Sequence, residues 1–142
     1  MIVLKGSAMG TNQLKPPALV FIATWLVHTG DHLRRGLENT SEGVTWAGIV
    51  AAIALTLIFT KHHAAASVSA VVFSSLAFGV TATHLAPDWG YFSEPLLFDS
   101  QTDVWAAVAA VPEIIAAAWL GLVAFQLIKS NGFKSPAVQQ LH

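Results

Sequence analysis

Residues 104–128 read VWAAVAAVPEIIAAAWLGLVAFQLI, and this stretch decides what kind of protein the chain is. Its single charged residue is Glu113. At about 1.5 Å per residue, a helix of this length crosses a hydrocarbon core about 30 Å thick. Three more stretches qualify or nearly do: 17–33, 44–60 and 64–86. The second is short, so the bilayer would thin there or the helix would stand upright. The sequence therefore reads as an all-α integral membrane protein. It is expected to be a four-transmembrane-helix bundle forming a single membrane domain over residues 1–142, with polar tails at 1–15 and 129–142.

Composition points the same way. Hydrophobic residues make up 54% of the 142 and charged residues 11%, against about 25% charged in an ordinary globular domain. Seven bases against eight acids give a formal charge of −1, which leaves no basic surface for nucleic acid. The expected partners are the lipid bilayer and, within it, a larger membrane complex or further copies of the chain in a homo-oligomer. Cysteine is absent, which excludes disulfides, thiolate metal sites and a cysteine nucleophile together.

Helix-end signals frame the spans. Pro16 and Pro17 suit a helix start, where their missing donors cost nothing. Leu33-Arg34-Arg35-Gly36 offers cations and a glycine to a helix end, and Pro87 and Gly90 should close the third helix. The apolar run Met1–Leu4 is too short for the core of a signal peptide, so the N-terminal segment is expected to be retained. With four spans, Lys5, Lys15, Lys61, Lys129 and Lys134 share one side. Arg34 and Arg35 lie on the other with Glu38, Glu42, Asp88, Glu94, Asp99 and Asp103. Five bases against two favour a multi-pass protein of the plasma membrane with both termini cytoplasmic, although the arginine pair pulls the other way. Trp46, Trp89 and Trp105 would then form an outer aromatic belt.

Ionisable residues inside spans are costly and mark function by default. HTGDHLRR places His28, Asp31, His32 and Arg35 at spacings of three, four and seven, on one helical face. Histidines at i and i+4 can share one metal ion, and a carboxylate between them can ligate or orient. Glu113 lies about 15 Å below Asp103, near the bilayer midplane. It shares a face with Ala106, Ala109, Ala110, Ala116 and Ala117, small residues that let another helix approach. His84 lies near the outer end of the third helix, with Thr81, Ala77, Ser74 and Ala70 expected on its inward face.

Alternating topology brings these residues into one outer half, since His28 and His32 stand about 16 and 22 Å up their helix. The candidate metal residues are therefore His28, His32, His84, Glu113 and Asp31. In this reading the histidines ligate. Glu113 is a fourth ligand or proton acceptor, and Asp31, neutralised by Arg35, orients a histidine. Imidazole plus carboxylate suits a divalent transition metal, Zn, Cu or Fe. Haem between His28 or His32 and His84 is the other cofactor open to this set. His62 and His63 fall in a short loop on the opposite side and read as a solvated turn. Phosphate-binding loops, GxSxG and HExxH are absent.

The expected function is a redox or metal-handling role for an intramembrane His/Asp/Glu cluster. The alternatives are a non-catalytic accessory subunit of a larger membrane complex and a proton-coupled small transporter. Whether any catalysis occurs stays open at this point.

Overall fold

A computed structural model describes residues 10–35, 41–88 and 104–131, with side chains from Trp46 onward in the second segment. A 3₁₀ turn, Thr11–Leu14, leads into α1 (Lys15–Arg35), followed by α2 (Ser41–Phe59), α3 (Ala65–His84) and α4 (Val104–Asn131). Among the described residues there is no strand. Trp89, Glu38, Glu94, Asp99, Asp103, Lys5, Lys134, Gly36 and Gly90 lie outside the described residues, as do 1–9 and 132–142 of the expected tails.

Each helix has a local reason to form. Pro17 sits in the first turn of α1, and Arg34 and Arg35 lie in its last turn, where cations meet the negative end of the helix dipole. Pro112 lies inside α4 without ending it; the missing N–H leaves the Val108 carbonyl without its usual helical donor. α2 ends in a Schellman motif. The amide of His62 donates to the Leu57 carbonyl at 2.9 Å and that of Lys61 to Ile58 at 3.1 Å. Lys61 takes the left-handed position of this motif, with φ 55°, where glycine is the usual occupant.

Two helices, α3 and α4, are long and apolar enough to cross a membrane. The apolar part of α2 is the shorter Trp46–Phe59. α1 falls outside that set because HTGDHLRR fills its last two turns with polar groups. The expectation of four spans is thus met on length and composition by two.

The helices pack in a ring in chain order. α4 lies most extensively against α3 and then α1, α2 packs on α3, and the α1–α2 seam is the loosest. At that seam the Trp25 ring approaches Gly48 so closely that a Cβ there would lie 3.2 Å from it. The 3₁₀ turn touches all four helices, and its fully buried Leu14 plugs one end of the ring beside Ile58 and Leu127. The diagonal helices α1 and α3 meet through side chains alone. Phe21 and Phe73 form an edge-to-face pair with centroids 4.9 Å apart, a geometry favoured by the ring quadrupoles.

The face of α4 expected inside is inside: Ala106, Ala109, Ala110, Glu113, Ala116 and Ala117 are all buried. On α3 none of the four residues expected inward beside His84 is buried: Thr81, Ala77 and Ala70 are half-buried and Ser74 is exposed, whereas Ala65, Ser69, Phe73 and His84 itself are buried. Counting back from His84 in steps of three and four permits both runs, and the packing of Phe73 on Phe21 selects the one observed.

Around an apolar core, many large apolar side chains lie outside and a few polar ones lie inside. Leu26, Val27, Trp46, Phe78, Trp105, Ile115, Leu122 and Phe125 are exposed, while His28, Asp31, His32, Ser69, His84 and Glu113 are buried. On α3 few residues are fully buried, and Val71 and Phe78 are exposed.

Candidate metal centre

The polar residues gather at the end of the ring opposite Leu14. His28 and His32 lie one helical turn apart near the end of α1, with ring centroids 4.6 Å from each other. His84, the last residue of α3, closes the group from across the ring. Its centroid is 4.9 Å from His28 and 5.7 Å from His32. All three are buried, and one ring nitrogen of each lies within 4.8 Å of the others. Nitrogens bound at about 2.0–2.1 Å to one ion sit roughly 3.4 Å apart, so shifts of about 1 Å would close the set around a metal.

Glu113 approaches this group from α4. Its Oε2 pairs with Nδ1 of His28, and both side chains are buried. A carboxylate accepts, so Nδ1 of His28 donates, and a neutral ring then carries its lone pair on Nε2. That Nε2 atom is buried and has no hydrogen-bond partner. Buried polar nitrogens seldom stay unpaired, and a metal ligand is one of the few roles that leaves one so. The carboxylate–histidine pair is also the usual outer support of a ligating imidazole.

Asp31 faces the rim of the site. Its carboxylate accepts from Nε and Nη2 of Arg34, at 3.0 and 2.8 Å, and from Nε of Arg35 at 2.8 Å. Arg35 also reaches His32, with Nη2 3.2 Å from Nδ1. A guanidinium only donates, so His32 Nδ1 is the acceptor there. The sequence indicated Arg35 as the partner of Asp31; Arg34, one residue nearer, contributes as well. Its i+3 spacing already permitted that. Of the five candidate residues, the structure brings together His28, His32 and His84, places Glu113 on His28, and turns Asp31 toward the arginines.

Beside this rim, α1 and α4 leave an open groove of about 500 Å³ lined by Val27, Gly30, Asp31, Arg34, Trp105, Val108 and Ala109. None of the three imidazoles lines it.

No known protein family, curated protein or solved structure matches this chain. The chemistry of the site therefore rests on its own geometry. Buried imidazoles within reach of one another, one of them backed by a carboxylate, can hold a metal ion. At the other end His62 and His63 are exposed in the turn that follows α2, as a solvated turn requires.

Proposed function

We propose that this is a membrane-embedded metal-binding protein that holds one ion on His28, His32 and His84, for a redox or metal-handling role. The observation that carries the reading is the buried Nε2 of His28, which has no partner while Glu113 engages the other nitrogen of the same ring. Glu113 then acts as an orienting carboxylate behind His28 rather than as a ligand. A single ion suits the set better than haem. The His28 and His84 rings are in edge contact, with centroids 4.9 Å apart, and a macrocycle would have to pass between them.

The large exposed apolar side chains support the membrane part of the reading. Leu26, Phe78, Leu122 and Phe125 would otherwise meet water, and exposed apolar area of that kind marks contact with lipid or another protein. In this proposal all four helices span the plasma membrane. The turn at 60–64 and both termini face the cytoplasm, and the histidines lie in the outer half.

The test is elemental analysis of the full chain purified from membranes in mild detergent. One metal ion per chain is expected, lost in His28→Ala and His84→Ala and retained in His62→Ala. Helical protein that is free of metal and takes none up would overturn the reading, and a larger complex co-purifying with it would point to the accessory-subunit role instead. Orientation is read separately: His63→Cys introduces a sole cysteine, which should react with a membrane-impermeant maleimide only after the cells are opened.

A further inference from the structure

We propose that the end of the ring plugged by Leu14 binds anionic phospholipids, whose phosphodiesters lie on Lys15, Lys61 and Lys129. The proposal rests on the membrane reading above and makes no use of the metal site.

The three lysines come from helix ends that converge there. Leu14, Ile58 and Leu127 are buried in one apolar cluster, and Lys15, Lys61 and Lys129 follow them by one, three and two residues. Lys61 and Lys129 are exposed and Lys15 is half-buried. Among the described residues their ammonium groups enter no ion pair. The acids with described side chains, Asp31, Asp88 and Glu113, belong to the histidine end. Glu113 lies about 24 Å along α4 from Lys129. That is well beyond the Debye length of about 8 Å at physiological salt, so these acids leave the charge of the lysines in place.

Lys61 adds a separate indication. It holds a left-handed backbone, φ 55°, where glycine is the usual occupant. The lysine is kept at a conformational cost, which a use for its side chain explains.

The surface fits an amphipathic occupant. On α4, Leu122 and Phe125 precede Lys129 by seven and four residues; on α1, Leu19 and Leu26 follow Lys15 by four and eleven. Each lysine therefore ends a column of apolar side chains on its own helix face. Leu19, Leu26, Leu122 and Phe125 are all exposed. An acyl chain laid along such a column brings its phosphate to the ammonium group at the end. A soluble anion or an acidic protein would use the lysines and leave the columns without a role.

The experiment uses the full chain in neutral detergent micelles. Bound lipid is counted by native mass spectrometry as phosphatidylglycerol or phosphatidylcholine is added. Phosphatidylglycerol is expected to bind at least about tenfold more tightly. Lys15→Gln, Lys61→Gln and Lys129→Gln should each weaken it about fivefold, and the triple variant should show no preference. Added salt should erode the preference as well. Two results would overturn the inference and leave the membrane reading standing, provided the protein is helical by circular dichroism and resists alkaline carbonate extraction from membranes: equal binding of the two lipids, or a preference that survives the triple variant. Displacement of phosphatidylglycerol by millimolar glycerol phosphate would also overturn it, by making the site one for a soluble phosphate. So would an acidic soluble protein that co-purifies and is released by the same substitutions, with no lipid preference. Release of the chain from membranes by carbonate would overturn both readings.

Discussion

The carboxylate of Glu113 on α4 meets Nδ1 of His28 on α1 inside the helix ring, across 85 positions of sequence. This contact joins a buried acid to the histidine whose other nitrogen has no hydrogen-bond partner among the described residues. For a neutral His28 ring it selects the tautomer that leaves the lone pair on Nε2, in a ring that lies against His32 and His84. Glu113→Gln should therefore lower metal affinity by about 10–100-fold while helicity is unchanged. Competition with a chromophoric chelator reads this directly, and wild-type affinity in the variant would remove Glu113 from the site.

Arg35 should oppose metal binding at His32. Its guanidinium donates to His32 Nδ1 and is itself anchored by Asp31. Neutral imidazole has one in-plane lone pair, so a bound ion and Arg35 compete for His32. Arg35→Gln relieves both the competition and the charge, and affinity should rise about tenfold, equivalent to about 1.4 kcal/mol. A weaker site in this variant would mean that Arg35 organises His32 rather than blocking it.

The α3–α4 contact sets the position of Glu113 and His84 relative to each other, and at Gly121 the two helices approach closely. A Cβ there would lie 2.8 Å from Ser74 Oγ and 3.2 Å from the Ser74 backbone nitrogen. The hydroxyl can rotate away, but the backbone cannot. Gly121→Ala should cost about 1–3 kcal/mol in thermal or detergent unfolding. Gly79→Ala, on the same pair of helices but with nothing within 4 Å of the new Cβ, serves as the silent control.

Lys61 holds a left-handed backbone at φ 55° to complete the Schellman motif after α2. A non-glycine residue pays about 1–2 kcal/mol for that conformation. Lys61→Gly should raise stability by about 1 kcal/mol once the extra freedom of glycine in the unfolded chain is counted. Because the turn lies at the far end from the histidines, metal affinity should stay the same. A fall in melting temperature would show that the lysine side chain contributes more than its backbone costs.

Much of the candidate site was legible before any fold was known. Spacings of three, four and seven from His28 are a property of the helix itself, so they placed Asp31, His32 and Arg35 on one face. The alanines flanking Glu113 likewise marked the buried face of α4, and all five are covered. The face of α3 was less legible, because a single histidine at the helix end gives no second point to fix the rotation. Nor did the sequence signal that Leu14, in a short turn, would plug the ring, since that contact depends on four helix ends converging.

Length, hydropathy and helical period are local quantities, and they determined that the chain is helical and which residues share a face. They also identified the polar groups that a mostly apolar chain retains at a cost. How far α4 slides and turns against α1 is not local. It depends on Gly121 admitting the α3 backbone, on Phe21 meeting Phe73 and on Leu14 filling the end. Only that packing decided that Glu113 would meet His28 and that three imidazoles would converge within reach of one ion.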